Sequence, residues 1–171
     1  MGEAIAASTG AYTHVGVAVC SDSGVYLYEA LPRVGVVSHP LEEALDQWYQ
    51  ALDTTLPLLE YVSICQLSVP FDTLRLIHFL QEFLGQPYDD AFLPDNGRLY
   101  CSELIYESFF DLQGNRLFTA APMNFRVPDG SVPSYWIHHF DSLGIAIPEG
   151  VPGTNPTDLF SSPHLIKCKI E

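Results

Sequence analysis

The feature that most constrains the fold is a pair of alternating segments joined by turn formers. Residues 14 to 20 place Val15, Val17 and Val19 on one face, and residues 25 to 31 alternate again. Between them lies Ser21-Asp22-Ser23-Gly24. Side chains of a strand alternate between its two faces, so this pattern predicts a β-hairpin. A loop of Asp22-Ser23, or equally of residues 21 to 24, gives one register: Cys20 opposite Val25, Ala18 opposite Leu27, Gly16 opposite Glu29. Directly opposed residues share a face, and His14 lies two residues beyond Gly16. His14 and Glu29 then become diagonal neighbours, roughly 7–8 Å apart at the backbone and within side-chain reach. A change of one residue in the loop would turn Glu29 to the other face. Gly16 and Ala18 are small, so a helix is expected to pack closely on their face.

A second feature supplies that helix. In Tyr100-Cys101-Ser102-Glu103, a cysteine stands where a turn-rich loop becomes helical, with Leu104, Ile105, Phe109 and Leu112 at helical spacing and Gly114 as a stop. The first turn of a helix carries free N–H groups and partial positive charge, which stabilise a thiolate, the nucleophilic form of cysteine. Taken singly, Cys101 reads as a buried structural thiol, His14 as a strand-end histidine and Glu29 as a solvated strand residue. Taken together they supply a nucleophile, a base and a carboxylate that orients the base.

Composition narrows the class. A chain of 171 residues with 47% hydrophobic and 16% charged residues predicts one globular domain over residues 1 to 171. No apolar run reaches the roughly 18 residues of a membrane helix, so no stable membrane insertion is expected. A formal charge of -14 with only seven Lys and Arg argues against nucleic acid and anionic membranes as partners. The four cysteines form no CxxC pair; Cys20, Cys65 and Cys168 fall in strand-like stretches and read as small core residues. No metal and no cofactor is expected. Asp89, Asp90 and Asp95 lack EF-hand spacing and read as a solvated loop. His138 and His139 read as surface or packing residues, and His39 and His78 as outside any site. The chain as given opens without a basic, apolar leader, which read literally predicts the cytoplasm, and an extracytoplasmic place if a leading segment is missing.

Elsewhere the pattern predicts a short Ala-rich helix over residues 2 to 8. A second helix is expected from Pro40 with Leu41, Ala44, Leu45, Trp48 and Leu52 as its stripe, and a strand over 61 to 69. A third helix is expected to be capped by Asp72, to run through Leu74, Ile77, Leu80 and Phe83, and to close at Gly85. Residues 85 to 97 and 150 to 163 read as loops. Short segments are expected over 116 to 125 and 135 to 143, with a turn at Asp129-Gly130, and a closing strand over 165 to 170.

Several of these pieces match a known pattern. Tyr-Thr-His-Val-Gly-Val at 12–17, Tyr-Glu-Ala at 28–30, Gly-Gln-Pro-Tyr-Asp at 85–89 and Tyr-Cys-Ser-Glu-Leu at 100–104 resemble the YiiX/YebB-like family. That family belongs to the circularly permuted branch of the NlpC/P60 papain-like cysteine hydrolases. The resemblance extends to Gly153-Thr154-Asn155-Pro156 and Ser161-Ser162-Pro163. His-Val-Gly ahead of Cys-Ser-Glu, in permuted order, is its specific part. The family's usual Gly-Asp-Leu-Leu-Phe-type strand before Ala4-Ile5 has no counterpart in the chain as given.

The resemblance implies an α+β, papain-like fold with an antiparallel sheet packed against the helix that carries the nucleophile. It implies Cys101 as nucleophile, His14 as general base and acid, and Glu29 as the orienting residue, with Tyr12 and Tyr88 lining the substrate site. It implies an amide substrate: a peptide, an isopeptide or a cell-wall-type fragment. Two alternatives stand beside it. One is acyl-ester chemistry of the lecithin-retinol acyltransferase-like type, which shares the His-then-Cys order. The other is a non-catalytic ligand-binding module on the same fold.

Overall fold

A three-stranded antiparallel sheet carries Glu29 and His39. The computed structural model describes residues 1–51 and 62–168. It opens with helix α1 (Gly2–Thr9), followed by strands β1 (Val17–Ser21), β2 (Gly24–Leu31) and β3 (Gly35–Pro40) in the spatial order β1-β2-β3. The hairpin register is the expected one, with Cys20 opposite Val25 and Ala18 opposite Leu27. Strand β3 was not expected: the chain turns at Pro32-Arg33, with the Val34 N–H donating to Leu31 O, and returns along β2 with Val37 opposite Glu29. Helix α2 (Leu41–Ala51) starts one residue after Pro40 and packs across β2 and β3 with Ala44 fully buried.

The rest builds a helical layer and two small strand pairs. Strand β4 (Cys65–Leu67) leads to α3 (Thr73–Phe83) and α4 (Cys101–Ser108). Next come β5 (Ala121–Pro122), α5 (Ser134–Leu143), β6 (Pro152–Gly153), α6 (Pro156–Phe160) and β7 (Leu165–Lys167). β4 pairs with β7 and β5 with β6, both antiparallel. The Asp72 carboxylate accepts the Arg75 N–H and caps α3 as expected. Leu76 and Leu80 are the buried residues of α3, whereas Leu74 is 85% exposed, so the inner stripe is rotated from the expected one. Expectations that fall on Leu52, Tyr61, Lys169 and Ile170 lie outside the described residues.

Helix α4 is shorter than its pattern predicts. It ends at Ser108, and Phe109 takes extended backbone angles. Two competing bonds account for this: Phe110 O accepts the Asp72 N–H, and Phe109 O accepts the Leu117 N–H. Asp111 then closes a turn by accepting the Gln113 and Asn115 N–H groups, which leaves Leu112 exposed. Residues 150 to 163, expected as a loop, contain β6 and α6; Asn155 caps the latter with Pro156 in its first turn.

The main core joins one face of the sheet to α3, α4 and α5. Val17, Ala30 and Val36 share it with Leu76, Leu80, Leu104, Ile105, Trp136 and Phe140. Ala18, on the face where the sequence placed the packing helix, is exposed. The other face, with Val17, Ala30 and Val36, shares the core with α4 instead, while Leu27 and Glu29 on Ala18's own face are also buried. Nor are the other cysteines core residues. Cys20 is exposed near the hairpin tip, and Cys65, on β4, and Cys168, just past β7, are half-exposed.

Candidate active site

The site forms where α4 begins. Tyr100 is the N-cap residue, with extended backbone angles and no side-chain cap bond, so Cys101 is the first helical residue. Its backbone N–H belongs to the first-turn amides that have no partner within a helix. Cys101 is buried, and α4 is fixed by the buried Leu104 and Ile105 beneath it. Ser102 donates to Thr154 O at 3.0 Å, and Thr154 N–H donates to the Tyr100 hydroxyl at 3.1 Å, tying the helix start to the segment after β6.

His14 lies three residues before β1, where the chain has left regular strand geometry. Gly16 permits this. A Cβ there would sit 2.9 Å from Tyr28 O and from Leu27 Cδ1, and 3.3 Å from Glu29 Cβ, so only glycine lets the chain close over β2. His14 Nε2 meets Glu29 Oε2 at 2.5 Å, and Cys101 lies close enough to the ring for its thiol to act on it. Burial by itself pushes the imidazole pKa down. The hydrogen bond and charge of Cys101, with those of Glu29, outweigh burial and raise it from 6.5 to about 10. Trp48 of α2 stands edge-on to the His14 ring with centroids 6.2 Å apart. The ring keeps 31% of its side-chain surface open, so a substrate atom can reach it.

Glu29 is fully buried on β2, the central strand of its sheet. Burial pushes its carboxyl up, and the bonds and charges of His14 and then His39 bring it below the usual carboxylate value. His39 contradicts its sequence reading. Its Nε2 lies 2.6 Å from Glu29 Oε1 and belongs to this cluster. The missed signal was β3 itself: Val36-Val37-Ser38-His39 after a Pro32-Arg33 turn continues the hairpin into a third strand.

The two tyrosines take different places. Tyr88 is buried and close enough to Cys101 for their charges to interact; burial first, then Cys101 and the nearby aspartates, push its hydroxyl well above the usual range. Tyr12 is half-buried, its ring tilted against that of Phe160 with centroids 4.0 Å apart, and its hydroxyl shares a hydrogen bond with Ser63. Asp89 is not solvated as expected: it is fully buried and accepts the Ala91 and Leu93 N–H groups, which satisfies the loop internally. His139 packs on Tyr135 and bonds Asp90 O, the packing role its sequence suggests. A separate cavity of about 310 Å³, lined by Leu117, Thr154, Asp158, Ser161 and His164 among others, includes neither Cys101 nor His14.

Glu103 completes the environment. It sits in the first turn of α4, buried, with the Tyr100 N–H donating to it and Oε2 without a partner. Burial, then the charge of Asp89, raise its pKa from 4.5 to about 8. At neutral pH it is uncharged, so the positive end of the helix is left to the cysteine rather than answered by a carboxylate.

An α+β fold in which a histidine just ahead of a strand and a carboxylate on its hairpin partner lie near a later cysteine at a helix start has the arrangement of a permuted papain-like cysteine hydrolase. Residues 2–168 match the family described as permuted papain-like amidase enzyme, YaeF/YiiX, C92 family, and the chain belongs to that family. It is a cysteine peptidase or amidase, a hydrolase of amide bonds. A comparison with curated proteins gives no match. Among solved structures, the chain is similar in fold to the metalloprotein yiiX from Escherichia coli O157:H7, with a TM-score of 0.74 and 20% identity. That alignment covers 99% of this chain and 89% of the other. Among the described residues, no group of three or more His, Cys, Asp or Glu side chains is arranged to hold a metal ion. His14 Nε2 and His39 Nε2 both lie on the Glu29 carboxylate oxygens, so these donors do not converge on a common point for a metal.

Proposed function

We propose that Cys101 is the nucleophile, His14 the general acid and base, and Glu29 the residue that orients His14. The substrate in this reading is a peptide, isopeptide or cell-wall-type amide. The observation that supports it is the His14 ring, with Nε2 on the buried Glu29 carboxylate and the Cys101 thiol, at a helix start, close enough to act on the ring. An imidazole held charged to about 10 is the partner a thiolate needs.

The thiolate sulfur attacks the amide carbonyl carbon, and the C=O electron pair moves onto oxygen. The Cys101 backbone N–H supplies one donor to that oxyanion. As the intermediate collapses, the C–N bond breaks and His14 gives its proton to the departing amine. A thioester on Cys101 remains. Neutral His14 then takes a proton from water, the hydroxide equivalent attacks the thioester, and the C–S bond breaks to release a carboxylic acid and restore the ion pair. Tyr88, buried beside Cys101, forms one wall of this site; Tyr12 lines it further out.

The test is acyl-enzyme trapping with matched amide and acyl-ester probes. The expected result is a thioester on Cys101 formed from the amide and absent in Cys101→Ala, whose fold is retained. Hydrolysis surviving in Cys101→Ala would overturn the mechanism. Acylation by the ester alone would move the substrate class to acyl esters.

A further inference from the structure

Glu29 has neither carboxylate oxygen free. Oε2 is held by His14 at 2.5 Å and Oε1 by His39 at 2.6 Å. The two histidines reach Glu29 from opposite sides. On β3, Val37 is opposite Glu29 and His39 opposite Leu27, so His39 comes from the Leu27 end of β2. The β1 register places Val17 opposite Tyr28, so the chain running back to His14 passes toward the Leu31 end. A carboxylate held by one oxygen can still turn about its last side-chain bond, which has a broad torsional preference. Bonds to both oxygens from opposed directions stop that rotation. The second bond is also shielded, with side-chain exposures of 19% for His39 and 1% for Glu29.

Resting on the roles of Cys101 and His14 proposed above, we infer that His39 is a positioning residue for the reaction, holding Glu29 in the plane from which it orients His14. His39 acts through Glu29: its ring is bonded to Glu29 Oε1, and the largest influences raising the His14 imidazole come from Cys101 and Glu29. Removing His39 leaves Oε1 buried without a donor. An unpaired buried carboxylate oxygen favours the protonated acid, and a neutral acid no longer holds an imidazolium. Loss of His39 therefore weakens the Cys101–His14 ion pair from a residue that touches neither partner of it.

The test is the rate of iodoacetamide alkylation at Cys101, followed by peptide mapping across a pH range, in the parent, His14→Ala, His39→Leu and His39→Gln. The parent is expected to react faster than His14→Ala. His39→Leu should slow that reaction about tenfold and lower kcat more than it raises KM. His39→Gln, whose amide nitrogen falls near the position of imidazole Nε2, should restore most of the loss. A merely structural role would change the melting temperature and leave the alkylation profile alone, and that result in folded His39→Leu overturns the inference. If the parent itself behaves as an ordinary thiol, the roles of Cys101 and His14 fail first. If His39→Leu does not fold, nitrogen-15 spectra of the parent decide: Nε2 carrying a proton supports the inference, and a bare Nε2 overturns it.

Discussion

His14 Nε2 and Glu29 Oε2 lie 2.5 Å apart, with the glutamate fully buried and the histidine open on one side. This bond and the contact with Cys101 raise the imidazole pKa to about 10. The active ion pair is lost when the imidazolium loses its proton, so kcat/KM should hold through neutral pH and fall as pH passes about 10. Glu29→Gln removes the charge and keeps the shape. It should move that alkaline limb below about 10, with Cys101 still holding part of the rise, and lower kcat/KM about a hundredfold, less than Cys101→Ala does. A pH–rate profile of both proteins checks this, and an unmoved limb would remove Glu29 from its role.

Asp72 offers a stability change that leaves the chemistry alone. Its carboxylate caps α3 by accepting the Arg75 N–H at 3.0 Å, on an element that carries no part of the proposed site. Asp72→Ala should cost about 1 kcal/mol and lower Tm by roughly 2–4 °C in a domain of this size. Calorimetry and a kcat/KM assay on the same sample should show the first loss without the second.

The hairpin and the helix start were legible because local rules set both. Ser21-Asp22-Ser23-Gly24 fixes a register in which Ala18 meets Leu27, and that register carries Glu29 to His14. Cys101 follows a turn-rich loop and opens an apolar periodic run, which marks a helix N-terminus. What escaped were features decided by distant partners. Strand β3 has only a short β-branched stretch of its own, and His39 becomes part of the site only once β3 pairs with β2. The end of α4 is set by bonds from Asp72 and Leu117 to the carbonyls of Phe110 and Phe109, which no periodicity in 101–112 records. Small size at Gly16 and Ala18 does not mark the face that meets α4, because Val17, Ala30 and Val36 on the other face meet it, and which face a helix covers depends on elements distant in sequence.

Glu103 couples stability to pH with a sign opposite to that of most carboxylates. Its pKa is raised by burial and by Asp89 from 4.5 to about 8, so the folded chain holds a proton that the unfolded chain releases. Stability therefore falls as pH rises through that window, and the penalty is absent below it. Glu103→Gln has no proton to hold. It should match the parent near pH 4.5 and exceed it near pH 8, by on the order of 2–4 kcal/mol. Urea unfolding of both proteins at the two pH values measures the difference, and a constant offset between them would mean that Glu103 is charged in the fold. Below about pH 8 the substitution replaces one neutral group by another, so the alkylation rate of Cys101 should change little.

Gly16 links the geometry of the sheet to the chemistry. The backbone there closes on β2 so tightly that an added Cβ would lie 2.9 Å from Tyr28 O, an atom fixed in the strand ladder, and 3.3 Å from Glu29 Cβ. Leu27 Cδ1, the other atom at 2.9 Å, can turn aside, but a backbone carbonyl cannot. Gly16→Ala must therefore move the segment that carries His14 away from Glu29. Overpacking of this kind costs about 1–3 kcal/mol. The larger effect should be on activity, because a hydrogen bond of 2.5 Å between His14 and Glu29 has no slack to absorb the shift. The expected outcome is a modest fall in Tm together with a loss of kcat and an alkaline limb displaced in the same direction as in Glu29→Gln. A variant that loses stability and keeps the parent pH–rate profile would show that the segment before β1 can yield without carrying His14 with it.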